Sequence, residues 1–294
     1  MKKQENKQNY YLGYLTANDD PSFLIDYLNI KNMVRYDPGV SPLHVCISVS
    51  KVRGTNNRDR QKIKQLKRTL LKAKHISNVK IITKDNIGRD FSSAQKCLEY
   101  FSQFCSDDDY VLIRNRSGYG PFDNHWYLAY VRQNQKMSGG GLTGSTINQN
   151  GLPSVNMDGV HTHVQTYVYL SQWKHFKNIV DDFPGAGRKN KKDVILEGEL
   201  GLSSAFLDRG LSLNCLEWNN YVFTSDNNYY SELPGKDIKR LTTKVPIRFR
   251  YRRYIYRAWC IIDGIFWDST EVFKVIFIKK LNWMLQKIIY RFSR

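Results

Sequence analysis

Short apolar runs alternate with amphipathic stretches along the first part of the chain. Apolar runs at 10–16, 43–50, 79–83 and 110–113 predict four strands, and apolar positions at helical spacing predict helices at 21–36, 58–73 and 91–104. Strands that alternate with helices at short spacing are typical of a parallel sheet with right-handed crossovers. The pattern therefore predicts an α/β fold with a mostly parallel, Rossmann-like sheet and flanking helices.

The pattern continues less regularly after the fourth strand. It predicts helices at 123–136, 172–180 and 193–209, and strands at 142–147, 164–170 and 211–216. Residues 183–192, FPGAGRKNKK, form a basic and glycine-containing connection. Such a segment is typical either of a mobile loop over a site or of a solvated surface connection.

Two polar clusters follow the predicted strands at 79–83 and 110–113. Their members are Asn86, Gly88, Arg89, Asp90, Arg114, Asn115 and Arg116. Ligands of open α/β sheets bind beyond the carboxyl ends of the strands, so these residues are candidates for substrate binding. Gly88 allows a tight turn before a helix whose first N–H groups favour an anion, and the arginines suit a diphosphate. The alternative is a solvated loop with surface arginines.

Composition narrows the classes of partner. The net charge of +18 over 294 residues indicates an anionic partner, which is nucleic acid, a membrane surface or a phosphorylated substrate. The five cysteines lack the spacing of a zinc site and indicate reduced core residues of a cytoplasmic protein. The N-terminus has no apolar segment of a signal peptide, and no apolar run is long enough to predict a transmembrane helix.

The composition shifts in the last part of the chain, at 241–294. Eleven basic and three acidic residues follow Val245, and apolar residues keep helical spacing. These apolar positions are Phe273, Phe277, Leu281, Met284, Leu285, Ile288 and Phe292. The segment therefore predicts basic amphipathic helices that lie on an anionic membrane surface. The alternative is a helix packed on the domain's own core or on a second subunit of a homo-oligomer.

Two runs of the sequence carry a family resemblance. They are NIGRD from Asn86 to Asp90, followed by Ala94, and the run from Asn115 to Pro121. With the order of the elements, they resemble GT-A-fold nucleotide-sugar glycosyltransferases, particularly bacterial family 2 and rhamnan-synthesis-type polysaccharide enzymes. The resemblance covers 10–216 and implies a GT-A-like catalytic domain at 1–240. It implies a hexosyltransferase that uses a nucleotide-sugar donor and a lipid-linked or polysaccharide acceptor in O-antigen or capsule synthesis. Its place would be the cytoplasmic, inner face of the cell membrane.

The same resemblance assigns roles to individual residues. It implies nucleotide contacts from Thr16, Asn18 and Ser50, at the ends of the first two strands. It implies that Glu199, eleven residues before Gly210, activates the acceptor, with Glu197 as the alternative. A carboxylate suits this role because the acceptor hydroxyl must lose its proton during the attack. Without the family match, a glutamate in the first turn of a helix is a surface residue that complements the helix dipole.

The metal motif of the family is missing from its expected place. That place carries Arg114-Asn115-Arg116 instead of Asp-x-Asp. We therefore predict no metal ligands and no cofactor, with protein cations in place of Mn²⁺ or Mg²⁺ at the diphosphate. His161 and His163 would face the same way on a strand, but no carboxylate partner is evident. His163 is predicted to line the site instead.

Two other functions fit parts of the sequence. The charge and the 19 tyrosines are compatible with a nucleic-acid-binding protein, although no nucleic-acid-binding motif is present and we predict no nucleic-acid partner. The missing Asp-x-Asp motif is compatible with a catalytically inactive GT-A scaffold.

Overall fold

The computed structural model of the protein describes residues 8–152, 157–231, 233, 250–251 and 266–268. Its first half alternates strands and helices. The strands are β1 (Tyr10–Ala17), β2 (Leu43–Lys51), β3 (Ile76–Asp85) and β4 (Tyr110–Asn115), and the helices are α1 (Leu24–Arg35), α2 (Asn57–Leu70) and α3 (Arg89–Phe101). All seven elements lie within a few residues of the positions predicted from the apolar pattern.

Shorter elements make up the second half. They are β5 (Gly118–Tyr119), α4 (Trp126–Asn134), β6 (Gly141–Gly144), β7 (Ile147–Leu152), β8 (Met157–Val164), β9 (Val168–Gln172), α5 (Trp173–Phe176), α6 (Lys191–Asp193), a π-helix (Val194–Leu200), α7 (Gly201–Leu207), β10 (Ser212–Cys215) and β11 (Arg250–Tyr251). The predicted helix at 193–209 is therefore one continuous helical segment with a π-helix inside it.

The main sheet has seven strands in the order β10-β6-β9-β4-β1-β2-β3. Neighbouring strands are parallel except at β9, which runs antiparallel to β4 and β6. This confirms the prediction of an α/β fold with a mostly parallel sheet. The ends of β1, β2, β3 and β4 lie along one side of the sheet, which we call the carboxyl edge.

The two faces of β4 show how the sheet divides the core. Val111 and Ile113 pack with α3 on one face, and Tyr110 and Leu112 pack with α1, α2 and α4 on the other. Successive side chains of a strand point to opposite faces. Residues at the end of β4 therefore also alternate between the α3 side and the opposite side.

Three predicted elements of the second half were wrong in extent. The predicted strand at 164–170 is the end of β8 and the start of β9, and the one at 142–147 is β6 and the start of β7. The predicted helix at 172–180 has a single α-helical turn, α5. Buried side chains continue from β6 into β7, so the apolar pattern gives no sign of that change in direction. The other two predicted elements are interrupted by the half-buried Gln165 and Thr166 and by the exposed Lys177 and Asn178.

Most of the predicted membrane-binding segment at 241–294 lies outside the described residues. Two described pieces of it contact the domain. β11 pairs antiparallel with β5, and the Trp267 ring stacks on Tyr27 with 4.1 Å between ring centroids. The Trp267 indole N–H also donates to the carbonyl of Ser22 at 2.7 Å. Over the described ranges, none of the helices has the length and apolar character needed to span a bilayer.

Candidate active site

The turn before α3 fits closely against the basic loop, residues 183–192. Gly88 has φ of 67°, and a Cβ atom there would lie 1.9 Å from the carbonyl oxygen of Ala186. The Gly88 N–H donates to the carbonyl of Arg188 at 2.8 Å. Only glycine suits this position, because it combines a left-handed backbone with direct backbone contact. The loop is therefore docked on the turn through its backbone.

Two further glycines bring the π-helix into the same assembly. A Cβ atom on Gly198 would lie 2.4 Å from the Phe91 ring, and one on Gly185 would lie 2.7 Å from Cα of Gly198. The start of α3, the basic loop and the π-helix thus pack at backbone distance. Asp90 precedes Phe91 and Glu199 follows Gly198. The packing therefore brings two carboxylates together at the carboxyl edge, and we call this part of the edge the cleft.

The Asp90 carboxylate affects the ionisation of Glu199. Burial raises the pKa of Glu199 to about 7, and the nearby negative charge of Asp90 contributes to the rise. Solvent reaches the Asp90 side chain, but the protein that surrounds it in the cleft raises its pKa as well. The charge of Arg116 and a hydrogen bond from Asn115 oppose that rise in Asp90. A carboxyl group with a pKa near neutrality can exchange protons under physiological conditions.

The end of β4 supplies the partners of Asp90. Asn115 donates from Nδ2 to Oδ2 of Asp90 at 2.8 Å, and its own Oδ1 accepts from the N–H of Ser117 at 2.9 Å. Arg116 forms an ion pair with Asp19 and donates to the carbonyl of Ala17 at 3.3 Å. A fixed guanidinium therefore lies at the middle of the carboxyl edge, between the ends of β1 and β4.

Lys84 is a site residue that the sequence reasoning missed. Its ammonium group donates to Oγ of Ser50 at 3.0 Å and to the carbonyls of Ile87 and Arg89 at 3.2 and 3.3 Å. Burial lowers its pKa to about 8, although the charge of Asp90 acts in the opposite direction. The only signal in the sequence is a lysine near the end of a strand at the site edge. Lys84 ties the ends of β2 and β3 to the turn before α3.

Arg114 lies elsewhere than predicted. It is fully buried, and its guanidinium donates to the carbonyls of Gly118 and Gly120 and lies 5.1 Å from the centroid of the Tyr14 ring. Burial lowers the pKa of Arg114 to about 10. Arg114 and Asn115 are neighbours on a strand and so point to opposite faces. The prediction placed both at the site, whereas the structure places only Asn115 on the α3 side.

The residues at the ends of β1 and β2 are mostly engaged by the protein. Oδ1 of Asn18 accepts from the N–H groups of Val52 and Arg53 at 2.8 and 3.2 Å, so this side chain shapes the loop after β2. Thr16 is buried beside Asp26 and lowers the pKa of that carboxyl group, which burial raises. Ser50 lies against Lys84. Direct contact of these residues with a nucleotide stays a prediction.

Two exposed residues complete the turn before α3. Asn86 and Arg89 face solvent at the mouth of the cleft, and Arg89 has φ of 49°. A non-glycine residue in the left-handed region is uncommon and is often found at functional sites. Both side chains are open to a ligand.

His163 and Glu197 have partners of their own. His163 is buried on β8, where Nδ1 donates to the carbonyl of His161 at 2.6 Å and Nε2 lies 3.0 Å from Nε2 of Gln165. Burial lowers the pKa of His163, which favours the neutral ring. Glu197 is exposed and forms an ion pair with Arg188 of the basic loop. Of the two glutamates, Glu199 is therefore the one beside Asp90.

The described part of the chain contains no group of three or more His, Cys, Asp and Glu side chains placed to hold a metal ion. The residues at the expected Asp-x-Asp position are the arginines and the asparagine described above. The cleft thus combines two carboxylates with fixed cations.

No protein-family model and no curated protein sequence matches the chain. Solved structures with a similar fold include apo mouse xyloside xylosyltransferase 1, at 11% identity over 69% of this chain and 82% of that chain, with a TM-score of 0.38. The galactosyltransferase LgtC, in complex with donor and acceptor sugar analogues, has 12% identity over 90% and 95% of the two chains and a TM-score of 0.43.

The apo bifunctional glycosyltransferase WbbM has 10% identity and a TM-score of 0.47, over 90% of this chain and 51% of that chain. The present chain thus matches about half of WbbM. All three proteins are glycosyltransferases by name. Every TM-score is below 0.5, however, so the function has to be inferred from the cleft itself.

Proposed function

We propose that this protein is a glycosyltransferase that transfers a sugar from a nucleotide-sugar donor to a hydroxyl group of an acceptor. The observation that carries the proposal is the Glu199 carboxylate, which lies in the cleft at the carboxyl edge and has a pKa of about 7. A general base works best when its pKa is near the working pH. Glu199 meets this condition, and Glu197, which is exposed and ion-paired, has no comparable environment.

The donor binds on the strand side of the cleft in this proposal. Arg116 and Lys84 provide fixed positive charge at the ends of β4 and β3, and Arg89 provides an exposed guanidinium at the cleft mouth. A diphosphate gains negative charge as it leaves, and cations held in place stabilise that charge without reorganisation. Asn86 and Asn115 supply hydrogen bonds to the donor. The diphosphate is neutralised by the protein, and no divalent metal is required.

The transfer is a displacement at the anomeric carbon. Glu199 accepts the proton of the acceptor hydroxyl while the hydroxyl oxygen of the acceptor forms a bond to the anomeric carbon. The bond between that carbon and the diphosphate oxygen breaks, and the diphosphate leaves with the electron pair. The products are the glycosylated acceptor, a nucleoside diphosphate and a proton on Glu199. The proton is then released to water.

The proposed cellular role is based on the basic segment at 241–294, which we call the tail. We propose that the acceptor is lipid-linked or a polysaccharide of the bacterial cell surface, such as O-antigen or capsule, and that the tail binds anionic lipids at the inner face of the membrane. Eleven basic residues after Val245 support this role. Full-length protein should sediment with vesicles that contain phosphatidylglycerol, and protein truncated after residue 244 should not. Equal sedimentation of both would place the membrane contact outside the tail.

A thermal-shift screen tests the proposed function. Nucleotide sugars, their nucleoside diphosphates and short oligonucleotides are compared at equal concentration and at two salt concentrations. One nucleotide sugar at a hundred times its Kd should stabilise the protein by about 2.7 kcal/mol. Stabilisation by oligonucleotides alone, lost steeply with salt, would favour the nucleic-acid-binding function instead.

A further inference from the structure

Helix α2 presents a row of basic side chains to solvent. The side chains that it buries are Asp59, Ile63, Leu66 and Leu70. Four exposed basic residues follow one another at four-residue spacing on the opposite side of the helix and of the turn after it. They are Arg60, Lys64, Arg68 and Lys72, and we call them the α2 face. Residues 57–74 contain eight Lys and Arg residues and one acidic residue, so the charge of this helix is strongly positive.

The carboxylates near α2 do not neutralise this face. Asp59 has a fully buried side chain and is paired with Arg53 at 2.7 Å. Asp268 is paired with Arg58 at 2.8 Å, and only 9% of its side chain is exposed. Over the residues that the structure describes, no carboxylate pairs with the α2 face. Like charges four residues apart on a helix repel one another, so an anionic partner would relieve a repulsion that the folded protein carries.

Exposed apolar side chains lie at both ends of α2. Leu71 directly follows the helix and is 46% exposed, and Phe266 is 85% exposed. Phe266 is held near the first turns of α2 by its neighbour Trp267. The Lys62 ammonium group donates to the carbonyl of Trp267 at 3.0 Å and lies 4.0 Å from the centroid of its ring. A cavity of about 500 Å³ separates Phe266 from Arg58 and Lys62. Basic side chains flanked by exposed apolar ones are typical of a surface that lies on a membrane.

We propose that the α2 face and Phe266 form a docking surface for the anionic phospholipids of a membrane, so that the folded domain contacts the bilayer as well as the tail. The inference rests on the membrane role in the proposed function. Lipid phosphates pair with the basic side chains, and Phe266 enters the boundary between headgroups and acyl chains. A nucleic-acid strand fits this surface less well, because residues 57–74 contain no aromatic side chain on which a base could stack.

The docked segment connects this surface with the tail. Trp267 stacks on Tyr27 of α1, so residues 266–268 belong to the tail in sequence and to the domain in contacts. A single weak membrane signal gives reversible binding, whereas two signals on one protein give stable anchoring. Protein truncated after residue 244 keeps the α2 face but loses Phe266 and the rest of the tail. The expected loss of its sedimentation with vesicles is therefore compatible with a second contact on α2.

The test removes two charges from the α2 face of the full-length protein. Lys64→Gln/Arg68→Gln is compared with wild type for its Kd on phosphatidylglycerol vesicles. Each Lys or Arg at an anionic surface strengthens binding roughly fivefold, so the double variant should bind at least ~10-fold more weakly. Lys96→Gln/Arg209→Gln removes the same charge from exposed positions on α3 and after α7, and this control should bind like wild type. Glutamine is a good helix former, so the melting temperature should not change.

A second pair of variants tests the apolar part of the surface. Phe266→Ala should weaken vesicle binding several-fold at both low and high salt, because it removes an apolar contact and no charge. Phe104→Ala, at a position 56% exposed beyond α3, is the matched control and should bind like wild type.

Three results would overturn the inference. One is equal vesicle binding by the α2 double variant and its control, and loss of binding on truncation alone would then assign the whole membrane contact to the tail. Another is oligonucleotide binding that the α2 double variant loses while its vesicle binding is unchanged. The third is absence of vesicle binding by the wild-type protein, which would also exclude the membrane role. The thermal-shift screen contains no lipid, so it tests the proposed sugar transfer separately.

Discussion

Replacing Glu199 with glutamine should stabilise the protein and at the same time remove its activity. The folded protein holds the Glu199 proton more tightly than the unfolded chain does, because burial and Asp90 disfavour the charged form. The contribution of Glu199 to the free energy of unfolding is therefore greatest below pH 4.5 and declines as the pH rises toward 7. Glutamine keeps the shape of the side chain and has no charge to bury.

The size of the stability gain follows from the shift in the pKa of Glu199. The pKa of Glu199 rises from 4.5 to about 7. One pKa unit corresponds to about 1.4 kcal/mol, so the charged carboxylate costs about 3.5 kcal/mol at most. Water reaches part of the side chain, and we therefore expect roughly 2 kcal/mol. The free energy of unfolding of Glu199→Gln, relative to wild type, should rise by that amount between pH 5 and pH 8.

Urea unfolding at pH 5 and pH 8 measures this difference, and turnover with an identified donor is measured on the same samples. Turnover should fall at least ~100-fold, the low end for loss of a general base, while donor binding stays near wild type. Glu217 is a matched control, because burial raises its pKa to about 7 as well. Glu217→Gln should show a similar gain in stability at pH 8 with its turnover retained.

Two results would refute this reasoning. If the stability difference between Glu199→Gln and wild type is the same at both pH values, Glu199 does not carry a raised pKa. If turnover of Glu199→Gln is near normal, Glu199 is not the base, and Glu197→Gln then tests the neighbouring carboxylate.

Three further substitutions test the cleft and the tail. Gly88→Ala should lower the free energy of unfolding, measured with urea, by at least about 2 kcal/mol, because the added Cβ overlaps the basic loop. Gly187 has open space around it, so Gly187→Ala should stay within about 0.5 kcal/mol of wild type. Arg116→Ala should lose on the order of 2–4 kcal/mol of transition-state stabilisation, measured from kcat/KM. The activity of the wild-type protein should survive EDTA. Full loss of activity with EDTA and its rescue by Mn²⁺ would exclude protein cations as the substitute for a metal. Trp267→Ala should lower the free energy of unfolding by about 2 kcal/mol, because packing on the domain is lost. Phe266 is 85% exposed, so Phe266→Ala should change it by almost nothing. Equal stability of the two variants would mean that the tail is not docked.

The apolar pattern predicted the first half of the fold well because each element there differs clearly from the next. β1, β2, β3 and β4 are short apolar runs, and the helices between them have one apolar face. The second half was harder because the connections between its strands are short. Only the half-buried Gln165 and Thr166 interrupt the apolar positions between the end of β8 and the start of β9, which is too little for periodicity to locate the bend.

The position of the candidate site was predictable from the sequence, but the placement of each of its residues was not. The rule that ligands bind beyond the carboxyl ends of strands located Asp90, Asn115 and Arg116. The placement of Arg114 depends on which face of β4 each side chain takes, and the sequence alone did not give that register. Lys84 was missed because its partners are mostly backbone carbonyls, which no residue pattern reports. The pKa of Glu199 depends on packing across three segments, so it required the structure.

The most direct test of the central claim is a crystal structure of Glu199→Gln with the donor that the thermal-shift screen identifies. Our account predicts the diphosphate beside Arg116 and Asn115, and the anomeric carbon facing residue 199 across the cleft. A donor bound away from the carboxyl edge, or with its anomeric carbon out of reach of residue 199, would contradict it.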